Sequence, residues 1–202
     1  MFTGIINHSG LFKGYSLGKK EMAIDAPSLA SRLNIGESLA INGVCLSLIK
    51  KEKSTLFFNL SQETLNRTNL GSLRQEERLN LELSLTLSSP LSGHLVTGHI
   101  DATGKILKII KKRDGERITF SLPSELRPYF VIKGSVAVNG VSLTIAHLGP
   151  SSFDVELIPI TLKNSNLGNL IRGNMVNIEC DIIGKYVYNW INKDRQQEKN
   201  RI

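Results

Sequence analysis

The sequence is poor in the residue types and motifs that mark several large protein classes. Its 202 residues contain two cysteines, Cys45 and Cys180, which are far apart and form no Cys-x-x-Cys pair. Neither a disulfide framework nor a cysteine-based metal site is therefore expected. Gly-x-Gly-x-x-Gly, Walker and His-Glu-x-x-His motifs are absent, which leaves the common nucleotide-cofactor and metalloenzyme classes without support. We expect neither a cofactor nor a metal.

Long hydrophobic runs are also missing. No apolar stretch approaches the ~20 residues that a membrane-spanning helix needs, and the N-terminus lacks a charged region followed by an apolar one. Two unpaired cysteines are typical of a reducing compartment. These features predict a soluble cytoplasmic protein that does not enter the membrane.

Charge and aromatic content argue against nucleic-acid binding. The net charge is +7, from 25 basic and 18 acidic residues, but residues 185–202 alone contribute +3, from five basic and two acidic side chains. Aromatic residues make up only 6% of the chain. The basic groove with stacking aromatics that single-stranded nucleic acid requires is not visible.

What the sequence does contain is an internal repeat. Ser38-Leu-Ala-Ile-Asn-Gly-Val-Cys-Leu-Ser-Leu48 returns 97 residues later as Ser135-Val-Ala-Val-Asn-Gly-Val-Ser-Leu-Thr-Ile145, with six of eleven positions identical. The same offset relates residues 63–71 to 160–168 and 79–82 to 176–179, while near the starts the offset is 94. Each copy carries an Asn-Gly between apolar residues, a strong β-hairpin signal.

The repeat length and strand pattern predict an all-β protein with two barrels. Many short, evenly spaced strands favour a closed or nearly closed antiparallel barrel in each half, with short helices between strands. We expect domains at 1–94 and 95–185, followed by a helix and polar tail at 186–202. Ile183, Val187, Trp190 and Ile191 fall on one helical face, which packs either on its own barrel or on a neighbouring subunit.

Candidate chemistry comes from positions where the two halves differ. Cys45 is equivalent to Ser142, Ile5 to His99, and Ser84 to Asp181. A histidine can move protons near neutral pH and a thiol can act as a nucleophile. Each also has a structural alternative: a hydrogen-bonded strand histidine, a small buried cysteine, a turn hydroxyl, or a helix-capping carboxylate.

Five motifs together resemble the riboflavin synthase family, alpha-chain type. They are Met1-Phe-Thr-Gly-Ile5, Asn42-Gly-Val-Cys-Leu-Ser47, Gly93-His-Leu-Val-Thr-Gly-His-Ile100, Asn139-Gly-Val-Ser-Leu-Thr144 and Val176-Asn-Ile-Glu179. The resemblance implies two similar six-stranded Greek-key barrels and a homotrimer assembled by the C-terminal helix. It also implies a cofactor-independent transferase reaction, in which two 6,7-dimethyl-8-ribityllumazine molecules give riboflavin and 5-amino-6-(D-ribitylamino)uracil.

The resemblance also implies which residues form the sites. Two similar pockets are needed, because one substrate molecule donates a four-carbon unit and the other accepts it. Candidate catalytic side chains are Cys45, His99, Ser38, Ser142 and Asp181. In the expected N-half pocket, the substrate-binding residues are Gly4, Ile5, Ile6, Cys45, Leu46, Ser47, Asn59, Leu60, Ser61, Gln62, Glu63 and Thr64. In the expected C-half pocket, they are Gly98, His99, Ile100, Lys133, Ser142, Leu143, Thr144, Leu157, Ile158, Pro159, Ile160, Thr161 and Leu162.

The alternative function is that of a non-catalytic lumazine- or flavin-binding protein of the same fold. Such relatives tend to lose the threonine of Phe-Thr-Gly and the histidine of Thr-Gly-His, whereas Thr3 and His99 are both present here. Three positions depart from the commoner family pattern: Ala102 after Asp101, Ile160 after Pro159, and Asn139 before Gly140. A flavin reductase barrel or an oligonucleotide-binding barrel would need features that the sequence does not contain.

Overall fold

The computed structural model describes residues 1–199, and it consists of two closed six-stranded antiparallel barrels followed by a helix. The strands of the first barrel are β1 (His8–Ser16), β2 (Glu21–Asp25), β3 (Ser38–Ile41), β4 (Val44–Glu52), β5 (Thr55–Asn59) and β6 (Arg78–Leu83). Those of the second are β7 (Ala102–Lys112), β8 (Gly115–Ser121), β9 (Ser135–Val138), β10 (Val141–Leu148), β11 (Ser152–Leu157) and β12 (Met175–Cys180).

Both barrels have the same topology. Around the first barrel the order is β1-β2-β5-β4-β3-β6, and the second repeats it with β7-β8-β11-β10-β9-β12. Irregularities that bend the strands also recur: register shifts at Phe12/Gly14 and Leu48/Lys50 are matched at Ile106/Lys108 and Ile145/His147. Such bulges add the local curvature that closure requires. The predicted duplicated barrel fold is confirmed.

Helices are few and short, apart from the last one. The α-helices are α1 (Gln62–Arg67), α2 (Pro159–Asn164) and α3 (Ile182–Lys199), and short 3-10 turns occur at Leu17–Lys19, Asn69–Gly71, Ser124–Tyr129 and Asn166–Asn169. Residues 27–32 form tight turns, in which Ala26 O accepts from both Leu29 N and Ala30 N. The end of the expected polar tail, residues 200–202, lies outside the described residues. Within residues 1–199, no helix is both long and apolar enough to cross a bilayer.

The two Asn-Gly hairpins meet back to back between the barrels. Asn42 and Gly43 have φ of 47° and 80°, and Asn139 and Gly140 have 45° and 78°, as a type I′ turn requires. A Cβ added to Gly43 would lie 2.7 Å from Gly140 N, and one added to Gly140 would lie 2.7 Å from Gly43 N. Glycine is therefore needed in both copies, because each hairpin leaves no room for a side chain on the other.

A buried cluster of six asparagines surrounds these hairpins. It consists of repeat-equivalent pairs: Asn42 with Asn139, Asn69 with Asn166, and Asn80 with Asn177. Asn80 Nδ2 donates to the Asn139 carbonyl (2.9 Å), and Asn177 Nδ2 donates reciprocally to the Asn42 carbonyl (2.8 Å). Because buried amides must be hydrogen-bonded to avoid a large desolvation cost, this network fixes how the two barrels dock.

Candidate functional site

Two short segments cross between the barrels and build the candidate sites. The first crossing segment, residues 2–6, and the second, residues 96–100, meet at an antiparallel bridge. Phe2 N donates to Val96 O (2.7 Å) and Val96 N to Phe2 O (3.1 Å). Ile6 then enters the core of the second barrel, and Ile100 packs against the core of the first. Each repeat thus begins on the barrel of the other.

A buried glutamate anchors each crossing segment to its own repeat. Glu82 accepts hydrogen bonds from Thr3 N (2.6 Å), Thr3 Oγ1 (2.7 Å) and Gly4 N (3.0 Å). Glu179 accepts the equivalent three from Thr97 N (2.6 Å), Thr97 Oγ1 (2.6 Å) and Gly98 N (3.0 Å). Burial raises the pKa of both carboxyls and outweighs these hydrogen bonds, which lower it.

Glycine then places each crossing segment directly on the hairpin of the opposite barrel. The Gly98 carbonyl accepts from Cys45 N (2.9 Å), and the Gly4 carbonyl accepts from Ser142 N (2.8 Å). Both glycines have positive φ, 84° and 76°. A Cβ would lie 2.4 Å from Cys45 Cβ in one case and 2.6 Å from Ser142 Cβ in the other. No other residue allows this approach.

These contacts divide the predicted residues differently from the sequence-based grouping. Gly4, expected in the N-half pocket with Cys45, lies against Ser142, and Gly98, expected with Ser142, lies against Cys45. The expected grouping by half is therefore wrong for residues 4–6 and 98–100. The reason is the crossing of the two segments, which a linear repeat does not reveal. We call the resulting groups the Cys45 site and the Ser142 site.

The Cys45 site contains the polar side chains of the first barrel together with His99. Cys45 is half-buried on the outer face of β4, with exposed Ser47 beside it. His99 is exposed, and its backbone N donates to Thr97 Oγ1 (3.3 Å). Arg67 of α1 donates to the Asp101 carbonyl (3.4 Å), which brings α1 beside the end of the second crossing segment. His99 directly follows Gly98, whose carbonyl accepts from Cys45 N (2.9 Å).

The start of α1 supplies further polar groups to this site. Ser61 caps the helix, its Oγ accepting from Thr64 N (3.0 Å). Gln62 Nε2 donates to Asn66 Oδ1 (2.9 Å), and Glu63 pairs with Arg67 one turn later. Because β5 runs antiparallel to β4 with Phe58 opposite Leu48, Asn59 at its end points toward the Cys45 end of β4.

The Ser142 site is more apolar. Ser142 is half-buried and Thr144 exposed on the outer face of β10. Ile5 takes the place of His99 and is 36% exposed. Ile160 takes the place of Glu63 and is 55% exposed. Ile158 at the start of α2 is 56% exposed. Large apolar side chains left open in this way favour a flat apolar ligand or a covering surface.

Some predicted residues can meet a ligand only through their backbone. Their side chains are buried in the two barrel cores: Ile6, Leu46, Leu60, Leu143 and Leu157. Lys133 is exposed at the start of β9 with φ of 69°, its backbone N donating to Ile145 O (2.9 Å).

Ser38 and Asp181 have structural contacts of their own. Ser38 is opposite Ser47 in the hairpin, and its carbonyl accepts from Ser84 Oγ (2.9 Å). Asp181 Oδ1 accepts from Ile183 N (3.0 Å) at the start of α3, which is the capping alternative expected for this residue.

The structure adds one residue that sequence reasoning did not select. His94 is buried and its Nδ1 lies 2.7 Å from Ser142 Oγ. Burial lowers the pKa of His94, partly offset by the Asp181 charge. His94 belongs to the Gly93–Ile100 motif, but it has no partner in the repeat register, so comparison of the halves could not detect it. Among the described residues, no group of three His, Cys, Asp or Glu side chains could hold a metal ion.

Comparisons with known proteins agree with this arrangement. A family model described as the lumazine binding domain matches twice, at residues 3–84 and 97–181. The chain is 39% identical over 193 residues to a riboflavin synthase of Mycobacterium bovis, covering 93% of this chain and 96% of that protein. It is 35% identical over 203 residues to a riboflavin synthase of Bacillus amyloliquefaciens, covering 100% of this chain and 94% of that protein.

A solved structure shows the same fold. The crystal structure of LumP complexed with riboflavin superposes with a TM-score of 0.82 at 22% identity, covering 89% of this chain and 99% of that one. Because this sequence identity is low, the LumP structure supports only the fold of this chain. With two matched lumazine binding domains and close relatives along nearly its whole length, the chain belongs to the riboflavin synthase family.

Proposed function

We propose that the protein is a cytoplasmic riboflavin synthase, a transferase that needs no cofactor. It converts two molecules of 6,7-dimethyl-8-ribityllumazine into riboflavin and 5-amino-6-(D-ribitylamino)uracil by moving a four-carbon unit from one to the other. The observation that carries the proposal is the identity of 33–39% with several proteins named riboflavin synthase, over nearly the full length of both chains.

The duplicated sites suit a reaction with two identical substrates in unequal roles. Donor and acceptor have the same shape, so both sites need the same frame, and the crossing glycines and hairpins supply it twice. Their chemistry must differ, and the frame carries Cys45 and His99 in one copy against Ser142 and Ile5 in the other. The backbone groups of these strands are suited to the polar edge of the ring system, and hydroxyls and Lys133 to the ribityl chain.

The reaction requires removal of a proton from the C7 methyl group of one substrate and addition of a nucleophile at C7 of the other. His99 is exposed and directly follows Gly98, whose carbonyl accepts from Cys45 N, so we assign proton transfer to His99 and the nucleophilic or proton-transfer role to Cys45. Ser38, Ser142 and Asp181 are the remaining candidates. Asp181 is the weakest of them, because its carboxylate already caps α3.

We further propose that the working site lies between subunits of a homotrimer, and that residues 1–94, 95–185 and 186–202 act as two binding domains and an assembly segment. Ile183, Val187 and Trp190 are 63%, 53% and 71% exposed in the single chain, so the apolar face of α3 is not covered by its own barrel. The open Ser142 site likewise lacks a cover. A facing Cys45 site from a neighbouring subunit would bury two substrate molecules together.

The second candidate is a non-catalytic lumazine- or flavin-binding protein. It is favoured by the fold shared with LumP, whose structures contain riboflavin, flavin mononucleotide or the ribityllumazine. The presence of both Thr3, held by Glu82, and His99 favours the enzyme.

Incubation of the dialysed protein with 6,7-dimethyl-8-ribityllumazine distinguishes the two functions. The enzyme produces one riboflavin for every two lumazines consumed, followed by absorbance, without added metal or cofactor. Stoichiometric binding of the lumazine with no riboflavin formed over hours would establish the binding protein instead. Absence of both binding and turnover would overturn both assignments.

A further inference from the structure

The two repeat-equivalent residues Ser142 and Cys45 differ in what their side chains contact. In both sites the backbone N–H donates to a crossing glycine. The Ser142 hydroxyl, however, lies 2.7 Å from His94 Nδ1, whereas Cys45 forms no disulfide and its thiol makes no hydrogen bond within residues 1–199. The hydroxyl is therefore tied to a second titratable group, and the thiol is not.

His94 is held firmly in this position. Only 8% of the residue is exposed. Its backbone N donates to the Thr3 carbonyl (3.2 Å). The preceding Gly93 leaves no space for a side chain, because a Cβ there would lie 2.1 Å from Thr3 O and 2.9 Å from Ser142 Cβ. The backbone at Gly93 is thus packed against Ser142 and the first crossing segment, which fixes the position of the His94 backbone.

The second ring nitrogen determines the direction of the hydrogen bond. His94 Nε2 is buried and has no hydrogen-bond partner in the part of the chain that the structure describes. Burial keeps the imidazole neutral by lowering its pKa, and a neutral imidazole has one N–H and one lone pair. Among backbone groups, buried N–H groups without a partner are rarer than buried acceptors without one. Extended to the imidazole, this preference favours a bare Nε2 and a proton on Nδ1.

On the basis of the proposed function, we infer that His94 is a positioning residue that donates its Nδ1–H to Ser142 Oγ, so that Ser142 acts as a hydrogen-bond donor to the bound ligand. With one lone pair occupied by His94, the hydroxyl turns its own proton toward the open face of β10. A hydroxyl that already accepts a hydrogen bond donates more strongly. The Ser142 site would therefore select a ring carbonyl or ring nitrogen, most strongly one that carries negative charge.

The tautomer can be measured without any activity. In protein labelled with ¹⁵N-histidine, the four histidines give separate ring-nitrogen signals, and the His94 signals are those lost in His94→Asn. At pH 7 we expect His94 to be the Nδ1–H tautomer, which is the less common one in water, with its Nδ1 signal shifted in Ser142→Ala. An Nε2–H tautomer, or an Nδ1 signal unchanged by Ser142→Ala, would overturn the inference.

Kinetics test the role in the reaction. His94→Leu removes the donor, and His94→Asn retains an amide N–H near the position of Nδ1. We expect His94→Leu to lower kcat/KM at least ~10-fold, which is the scale of losing a donor aimed at the reacting molecule. His94→Asn should retain most of the wild-type kcat/KM.

Coupling between the two residues separates positioning from general destabilisation. His94→Leu with Ser142→Ala should be no slower than Ser142→Ala alone, because both remove one interaction. If the losses of kcat/KM in the two single variants add in the double variant, or if His94→Leu is as fast as the wild type, the role of His94 is refuted. Riboflavin synthesis by the wild type is unaffected by that outcome. A wild type that forms no riboflavin would instead refute the proposed function, and the tautomer measurement would still stand.

Discussion

The carbonyl of Gly98 accepts a hydrogen bond of 2.9 Å from the backbone N–H of Cys45, although the two residues belong to different repeats. This contact places the segment that carries His99 on the hairpin of Cys45, and not on that of Ser142. Its mirror contact, between Gly4 and Ser142, does the same for Ile5. The composition of both candidate sites depends on these two backbone hydrogen bonds.

Gly98→Ala should therefore destabilise the protein more than backbone strain alone predicts. Positive φ costs about 1 kcal/mol for alanine, and the clash with Cys45 adds about 1–3 kcal/mol of overpacking. Gly36→Ala is the matched control, since its φ of 91° is similar but nothing lies within 4 Å. Urea unfolding at one protein concentration measures both variants. Equal losses would mean that the close approach contributes nothing.

His99→Gln should lower turnover by ~10²-fold or more and leave lumazine affinity nearly unchanged, as expected when a group transfers protons. The control is His147→Gln, because His147 is also exposed but lies on β10. Single-turnover rates and equilibrium binding separate the two effects. If the variant turns over at the wild-type rate, His99 has only a structural role.

Subunit mixing tests where two substrates meet. Cys45→Ala and Ser142→Ala, each much less active than the wild type, should regain part of the lost activity after subunit exchange, because some interfaces then pair an intact Cys45 site with an intact Ser142 site. His99→Gln should likewise complement Ser142→Ala. It should not complement Cys45→Ala, since both lesions lie in one site. Verified mixed trimers that form no riboflavin would exclude a site between subunits.

If the proposed trimer is held together by α3, removal of residues 186–202 should give monomers, because it deletes Val187, Trp190 and Ile191 from the exposed face of the helix. Sedimentation measures the mass. A milder test is Val187→Asp, which buries a charge only if that face is an interface. Lys185→Ala is a control outside the apolar face, as Lys185 pairs with Asp101 of its own chain (2.7 Å). A trimer in the truncated protein would show that α3 does not assemble it.

The pH dependence of stability should include a contribution from His94. Its folded-state pKa lies below the usual 6.5 because of burial, so below that pH the unfolded chain binds more protons. Stability is consequently lost as pH falls from about 6.5 through the folded pKa. Glu82 and Glu179, whose pKa values are raised, act in the opposite sense, as their contribution is lost when pH rises.

The difference between the unfolding curves of wild type and His94→Asn isolates the histidine from the two glutamates. We expect the variant to lose less stability between pH 7 and pH 5 than the wild type. Parallel curves over this range would show that burial does not shift the titration of His94.

Much of the fold could be predicted from the repeat, because an Asn-Gly flanked by apolar residues dictates a local turn and local turns dictate hairpins. The crossing of the two segments could not be predicted. Because the barrels are copies of each other, the segment Phe2–Ile6 fits either barrel equally well. Four of the six clustered asparagines lie in the repeated segments 63–71 and 79–82 and their copies at 160–168 and 176–179, but a polar residue in a repeated segment does not reveal its partner. His94 was missed because comparison of two copies is blind to a residue found in one.

The crossing segments also bear on ancestry. A single unduplicated repeat with this geometry would present its first residues to the barrel of a second molecule, and reciprocal exchange would give a symmetric homodimer with three asparagines from each chain at its centre. In such a dimer, any mutation alters both sites at once. Fusion into one chain removes that restriction, so that a thiol can persist at position 45 while position 142 carries a hydroxyl with His94 as its partner.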